Sequence, residues 1–155
     1  MRGLGLPEAG TGRKLRYEGW DASADLVAQL QADHGRPGEI DFLLRDITTA
    51  PLPQVDLVIL RDVLFHMPVA LATDLLARLR QSTRFLLSTS FLGMERNDDI
   101  QAYLPINGWG FHRINLNVAP FDLAETMQEA VREPLCSNKG RARFFCLYEF
   151  AAAKG

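Results

Sequence analysis

Short apolar runs predict four strands in the first part of the chain. The runs cover 15–20, 40–44, 55–60 and 84–90, and branched apolar residues of this kind favour strands over helices. The run from Val55 to Leu60 consists mainly of branched apolar residues, which predicts a strand that is buried on both faces.

Two apolar stripes at helical spacing predict helices between these strands. The first covers 24–34, where Ser23 is a suitable N-cap and Gly35 gives a stop signal. The second follows Pro68, which suits the first turn of a helix because its missing N–H has no intrahelical partner there. Its apolar positions are Val69, Ala72, Leu75, Leu76 and Leu79.

The pattern changes after Ser90. Residues 91–113 are largely polar and predict a long loop, which in small domains is often functional. The end of the chain predicts a hairpin with arms at 126–133 and 143–150, joined by a turn around Ser137–Gly140. The segment 123–132 also fits a helix, so two interpretations of the first arm remain. The alternation of strands and helices is typical of an α/β fold with a mostly parallel sheet and, here, a C-terminal antiparallel hairpin.

Composition narrows the class of protein. The chain has 155 residues, a hydrophobic share of 47% and a net charge of −2, and no clustered basic face that would predict a nucleic-acid partner. Cys136 and Cys146 belong to no cluster, so we expect buried thiols and no metal site. No apolar run approaches the ~18 residues of a membrane span, and the first residues do not show the charged-then-apolar pattern of a signal peptide. We therefore expect a cytoplasmic protein without a membrane partner.

The domain organisation predicted from the sequence is simple. Residues 1–14 contain several glycines and no core-forming stretch, and we expect them to form a loop. Residues 15–155 are then one domain, which buries roughly 68–70% of the surface that its unfolded chain exposes.

Three segments carry a family resemblance. Residues 17–21 read Tyr-Glu-Gly-Trp-Asp, and residues 56–66, after Arg45-Asp46 and Pro51-Leu52-Pro53, read Asp-Leu-Val-Ile-Leu-Arg-Asp-Val-Leu-Phe-His. They resemble the ends of the second and fourth strands of class I S-adenosylmethionine-dependent methyltransferases. The third segment contains Gly108-Trp109, Arg113-Ile114-Asn115-Leu116 and Pro120-Phe121, and it resembles a bacterial subgroup of the same family.

The resemblance implies a Rossmann-like three-layer sandwich that transfers a methyl group from S-adenosylmethionine to oxygen or nitrogen of a small-molecule acceptor. In open α/β sheets, ligands bind outside the carboxyl ends of the strands. The implied cofactor contacts are Asp21 with the ribose, Asp46 and Ile47 with the adenine, and Arg61 and Asp62 with the methionine end.

The resemblance also implies roles in catalysis and acceptor binding. The catalytic candidates are His66 and Asp62. His66 follows Asp62 by four residues, so an early helix would place both on one face, and His66 suits a general base. The candidates for the acceptor pocket are Trp109, His112, Arg113 and Asn115, of which Arg113 suits a carboxylate or phosphate.

Each assignment has a structural alternative. Asp21 also fits a solvated helix-capping loop, and Asp46 a solvated turn. His66 also fits a hydrogen bond to a neighbouring loop, and Trp109 a core position.

The glycines near the N-terminus depart from the family pattern. The family opens with a strand that leads into a Gly-rich motif, whereas Gly3-Leu4-Gly5 and Gly10-Thr11-Gly12 follow no apolar run. Gly3 and Gly5 are the cofactor-binding candidates of this segment. Without a first strand, the strand at 55–60 has an open edge.

Three explanations remain for the missing first strand: a truncated N-terminus, a homodimer that completes the sheet, or a degenerate relative that acts as a non-catalytic binding or interaction protein. A dinucleotide-dependent oxidoreductase is a weaker alternative, against which the fourth-strand match argues.

Overall fold

The chain folds as two units, Met1–Pro51 and Leu52–Gly155. The structure is a computed structural model, and it describes residues 14–97, 111–133 and 142–151. The predictions made for Gly3, Gly5 and Trp109, and for the turn around Ser137, lie outside the described residues.

The first unit contains two parallel strands and the helix that connects them. Strand β1 is Tyr17–Asp21, helix α1 is Ala24–His34, and strand β2 is Ile40–Leu44. The predicted bounds of α1 and β2 are confirmed, and β1 begins two residues later than predicted. Ser23 caps α1 by accepting a hydrogen bond from the N–H of Leu26 at 3.4 Å, which satisfies one of the free donors of the first turn.

Gly19 is required by the packing between β1 and β2. A Cβ atom at this position would lie 2.6 Å from the Phe42 ring, which is too close for a real contact. Phe42 also meets Tyr17 edge to face, with ring centroids 6.0 Å apart. The glycine in the Tyr-x-Gly-x-Asp segment therefore makes room for an aromatic side chain of the next strand.

The second unit contains a mixed sheet and one longer helix. Its elements are β3 Val55–Leu60, a short 3₁₀ helix Leu64–His66, α2 Val69–Ser82, β4 Thr83–Ser90, β5 Met127–Arg132 and β6 Phe144–Glu149. Within the described residues the strand order of this larger sheet is β3-β4-β6-β5. Strands β3 and β4 are parallel, and β6 is antiparallel to both of its neighbours. Strand β5 therefore runs in the same direction as β3 and β4.

The first arm of the predicted hairpin is a strand. A short 3₁₀ helix, Ala124–Thr126, precedes β5, and β5 pairs with β6 from Met127 to Arg132. The helical interpretation of 123–132 is therefore wrong, because pairing with β6 fixes an extended backbone there.

Helix α2 covers one face of the larger sheet and forms the core of the second unit. Leu75, Leu76 and Leu79 of the helix are buried, as are Leu86 of β4 and Cys146 of β6. Each fully buried leucine contributes about 1.5–3 kcal/mol of transfer free energy. The prediction of a buried thiol is confirmed for Cys146, and burial raises its pKa. Cys136 lies outside the described residues.

One face of β3 is exposed to solvent. Side chains alternate between the two faces of a strand, and Val55, Leu57 and Ile59 share one face, with exposures of 38%, 43% and 50%. The prediction that this strand is buried on both faces is wrong. Among the described residues β3 has a single hydrogen-bonded neighbour, β4, and Leu60, which points to the other face, is buried.

In the described ranges, none of the helices has the length and apolar character needed to cross a membrane.

Candidate functional site

Charged residues from three strands meet at one end of the larger sheet. Arg61 and Asp62 follow β3, Glu133 follows β5, and Arg143 precedes β6. Because β3 and β5 run in one direction and β6 in the other, all four residues lie at the carboxyl ends of the parallel strands. This is the edge at which open α/β sheets bind ligands.

Asp62 is held in an uncommon backbone conformation. Its φ is 59°, in the left-handed region that non-glycine residues rarely adopt. The Asp62 N–H donates to Thr89 Oγ1 at 3.1 Å, and the Thr89 hydroxyl donates to Asp62 Oδ1, also at 3.1 Å. A hydroxyl group of β4 thus fixes both the backbone and the side chain of the residue that follows β3.

The four charged residues form a chain of alternating ion pairs, which we name the carboxyl-edge network. Arg143 Nη1 donates to both carboxylate oxygens of Asp62, at 3.1 and 3.2 Å, and Arg143 Nε pairs with Glu133. Arg61 Nη2 lies 3.4 Å from Glu133 Oε1. The side chains of Arg143 and Glu133 are only 19% and 15% exposed, so water screens their pairing less than it screens a surface pair.

Neither Glu133 nor Arg143 is predicted as a site residue from the sequence. Each is an ordinary charged residue next to a strand of the hairpin, and no motif marks it. The available signal was their position, because opposite charges that flank two arms of a predicted hairpin are brought together when the arms pair.

His66 does not share a helical face with Asp62. The left-handed backbone at Asp62 cannot belong to a right-handed helix, and the 3₁₀ helix begins only at Leu64. That prediction is therefore wrong. The His66 ring instead packs against Phe65, with centroids 4.7 Å apart, and lies 6.2 Å from the Phe111 ring.

His112 anchors the segment 111–116 to the residues that follow β3. Its backbone N–H donates to Phe65 O at 3.0 Å, and its Nε2 lies 2.8 Å from Met67 O. A carbonyl oxygen only accepts, so Nε2 carries the proton in this contact. The His112 side chain is buried and holds the backbone of residues 111–116 in place.

Asn115 is also buried, and its side chain binds backbone groups. Its Nδ2 donates to Leu92 O and Met94 O at 3.3 and 2.7 Å, and its Oδ1 accepts from the N–H of Asn117 at 2.9 Å. Asn97 Oδ1 accepts from the Asn115 N–H at 2.7 Å. These bonds hold residues 92–97 and 115–117 together, which is the contribution of Asn115 that the structure displays.

Arg113 lies between these two anchors. It is half-buried, and its Nε atom is buried without a hydrogen-bond partner among the residues that the structure describes. A buried donor of this kind is costly unless it finds an acceptor, and a guanidinium group is well suited to bind a carboxylate or phosphate.

The first unit carries two strand-end acids of its own. Asp21 Oδ1 accepts from the N–H of Ser23 at 2.8 Å. Asp46 Oδ1 accepts from the N–H and hydroxyl of Thr48, at 2.8 and 2.6 Å, and these bonds lower the pKa of Asp46. Because β1 and β2 are parallel, with Asp21 opposite Leu44, both acids lie at the same edge of their sheet. Ile47, next to Asp46, is half-buried.

Solved structures resemble this chain, whereas neither a protein-family model nor a curated protein sequence matches it. Magnesium protoporphyrin IX methyltransferase from Synechocystis PCC 6803, with bound SAM, is similar over 88% of this chain, with a TM-score of 0.58 and 16% identity. Human N-acetylserotonin methyltransferase in complex with SAM is similar over 87% of the chain, with a TM-score of 0.51 and 15% identity. A protein described as a pericyclic reaction enzyme is similar over 94%, with a TM-score of 0.52 and 9% identity.

The chain is shorter than these proteins. It spans 60% of the cyanobacterial enzyme, 40% of the human enzyme and 45% of the pericyclic enzyme. At these identities the likeness concerns the fold. The chain has the class I methyltransferase fold.

Proposed function

We propose that this chain binds S-adenosylmethionine and transfers its methyl group to oxygen or nitrogen of a small-molecule acceptor. The observation that carries the proposal is that an acid stands at or just after the carboxyl end of each of the strands β1, β2 and β3, namely Asp21, Asp46 and Asp62. Two methyltransferases with a similar fold contain SAM, which supports a cofactor of this kind.

The acids of the first unit fit an adenosine group. Asp21 uses Oδ1 for the Ser23 N–H, and its Oδ2 has no hydrogen-bond partner among the described residues. That oxygen suits a ribose hydroxyl, because a carboxylate accepts several bonds. Asp46 likewise uses Oδ1 for Thr48, which leaves Oδ2 for the exocyclic amine of adenine beside the apolar side chain of Ile47.

The carboxyl-edge network fits the zwitterionic methionine end. Arg61 supplies an exposed guanidinium for a carboxylate, and Asp62 supplies an acceptor for an ammonium. Arg143 and Thr89 already donate to Asp62, but a carboxylate has about four lone-pair sites and these contacts use three of them. One acceptor position therefore remains.

The bound cofactor would supply a methyl group on a sulfonium, which is already an activated leaving group. The residues of the chain then orient the acceptor and exclude water from the reacting atoms. We assign to His66 the removal of a proton from the acceptor hydroxyl or amine at a ring nitrogen. Arg113 binds an anionic group of the acceptor, and His112 and Asn115 hold the backbone that carries Arg113.

A thermal-shift panel tests the proposal. The ligands are S-adenosylhomocysteine, adenosine and NAD, each added to the purified full chain. S-adenosylhomocysteine at 100 times its Kd is expected to stabilise the chain by about 2.7 kcal/mol, whereas NAD is expected to leave the unfolding temperature unchanged. Stabilisation by NAD alone would indicate the oxidoreductase alternative. No shift with any of the three ligands would instead favour a non-catalytic protein on this fold.

A further inference from the structure

Glu133 and Arg143 are brought opposite each other by the backbone of the hairpin. The N–H of Glu133 donates to Arg143 O at 3.0 Å, immediately beyond the last pair of the β5–β6 ladder, Arg132 with Phe144. The two side chains pair with each other as well. Their arrangement is therefore set by the sheet and does not depend on Asp62.

Pairing with Glu133 orients the guanidinium group of Arg143. Glu133 engages the Nε side of the group, and Nη1 is placed against both oxygens of Asp62. A guanidinium is planar and rigid, so fixing one of its edges fixes the direction of the other N–H groups. Arg143 is also mostly buried, which limits the alternative conformations of its side chain.

We infer that Glu133 and Arg143 are positioning residues, which hold the Asp62 carboxylate at the carboxyl end of β3 in the orientation that binds the ligand. The inference rests on the proposed function, because it takes Asp62 to contact the cofactor. Asp62 has a left-handed backbone, and such a conformation persists only where surrounding contacts over-determine it. Thr89 supplies one such restraint from β4, and Arg143 supplies a second from the hairpin.

Hydrogen exchange in the ligand-free chain tests the restraint itself. We expect Arg143→Met to accelerate exchange of the Asp62 amide about tenfold. Without the hydrogen bonds from Arg143 to the Asp62 carboxylate, the backbone around Asp62 should open locally more often. Arg84→Met is the matched control. It removes the ion pair between Arg84 and Glu149, 2.7 Å long at the opposite end of the same sheet, and it should leave the Asp62 amide unchanged.

A double-mutant cycle on the affinity for S-adenosylhomocysteine tests the consequence for binding. Arg143→Met and Asp62→Asn are each expected to weaken binding about tenfold, and the double variant should be no weaker than Asp62→Asn, because coupled residues are not additive. Arg143→Lys keeps the positive charge but loses the planar guanidinium group with its fixed donors. Its affinity for S-adenosylhomocysteine should therefore lie between those of the parent and Arg143→Met. A merely structural effect of Arg143 would lower the unfolding temperature without this coupling.

The outcomes separate the inference from the proposed function. Additive losses in the double variant, or equal Asp62 exchange in Arg143→Met and the parent, would overturn the positioning role. A parent chain that binds no S-adenosylhomocysteine overturns the proposed function and with it the ligand-binding part of the inference. The exchange experiment then still decides whether Arg143 holds Asp62.

Discussion

At the scale of single residues, the proposed contact between Asp21 and the cofactor is the easiest to test. Its Oδ1 caps the entry to α1 through the Ser23 N–H, and its other oxygen is the proposed ribose acceptor. We expect Asp21→Ala to weaken binding of S-adenosylhomocysteine about tenfold, the value of one lost charge-assisted contact. Calorimetry measures the affinity directly.

Ser23→Ala is the control for this variant. It removes the N-cap of α1 at a cost of about 1 kcal/mol in stability, but it leaves the Asp21 carboxylate in place. Affinity should therefore fall in Asp21→Ala and not in Ser23→Ala. Equal affinity of Asp21→Ala and the parent would remove the ribose assignment.

Thr48 controls the protonation of Asp46. Its hydroxyl donates to Asp46 Oδ1 and is the main cause of the lowered pKa of Asp46, and its N–H adds to the effect. We expect Thr48→Val to raise that pKa towards the ordinary value of an aspartate, as seen in an NMR titration of the carboxyl carbon. Because the folded-state pKa is lowered, Asp46 contributes stability above its ordinary pKa, and this contribution is lost as pH falls through the lowered value. Thr49→Val, which leaves this hydroxyl in place, should not shift the titration.

His66 is proposed to move the proton of the acceptor. We expect His66→Ala to lower kcat about 100-fold, within the usual range for a general base, and to leave the affinity for S-adenosylhomocysteine unchanged. Product formation with any acceptor that the parent chain methylates provides the measurement. A His66→Ala variant with the kcat of the parent would show that another group takes the proton.

The sequence alone predicts the strand-end acids but not their partners. Asp62 can be found because it follows an apolar run, which is a local signal. Arg143 lies 81 residues further along the chain, and its pairing with Asp62 depends on strand order, which the pattern does not contain. The same limitation applies to His112 and Asn115, because their hydrogen bonds form only when residues 111–116 pack against the residues that follow β3 and β4.

At the scale of elements, local sequence signals are sufficient to predict the bounds of a helix where an N-cap residue precedes it and a stop residue follows it. Helix α1 begins after Ser23 and ends before Gly35, as the pattern predicts. The segment that forms β5 was ambiguous because its residues fit either a helix or a strand, and the neighbouring strand β6 decides the outcome. Strand preference depends strongly on such a partner.

The two faces of β3 provide a prediction about folding stability. Leu57 and Leu60 lie on opposite faces of the same strand, and Leu57 is 43% exposed whereas Leu60 is 3% exposed. Leu60→Ala should lower the free energy of unfolding by about 2–5 kcal/mol, as for other buried leucines. Leu57→Ala should change it by less than about 1 kcal/mol. Urea denaturation of the two variants is the comparison, and similar losses would contradict a β3 strand that is covered on one face.

At the scale of the whole molecule, the fold narrows the function without fixing it. The likeness to solved methyltransferases covers most of this chain, but a pericyclic reaction enzyme is similar over a comparable share. A shared fold does not imply a shared reaction. The proposed methyl transfer therefore depends on whether the strand-end acids bind the cofactor.

Calorimetric titration of the full chain with S-adenosylhomocysteine tests that claim most directly. We expect binding of about one molecule per chain with a Kd in the micromolar range, about −8 kcal/mol. Saturable heat with this stoichiometry would support the proposed cofactor site and make a search for the acceptor worthwhile. No heat at millimolar ligand, with no accompanying thermal shift, would contradict the account.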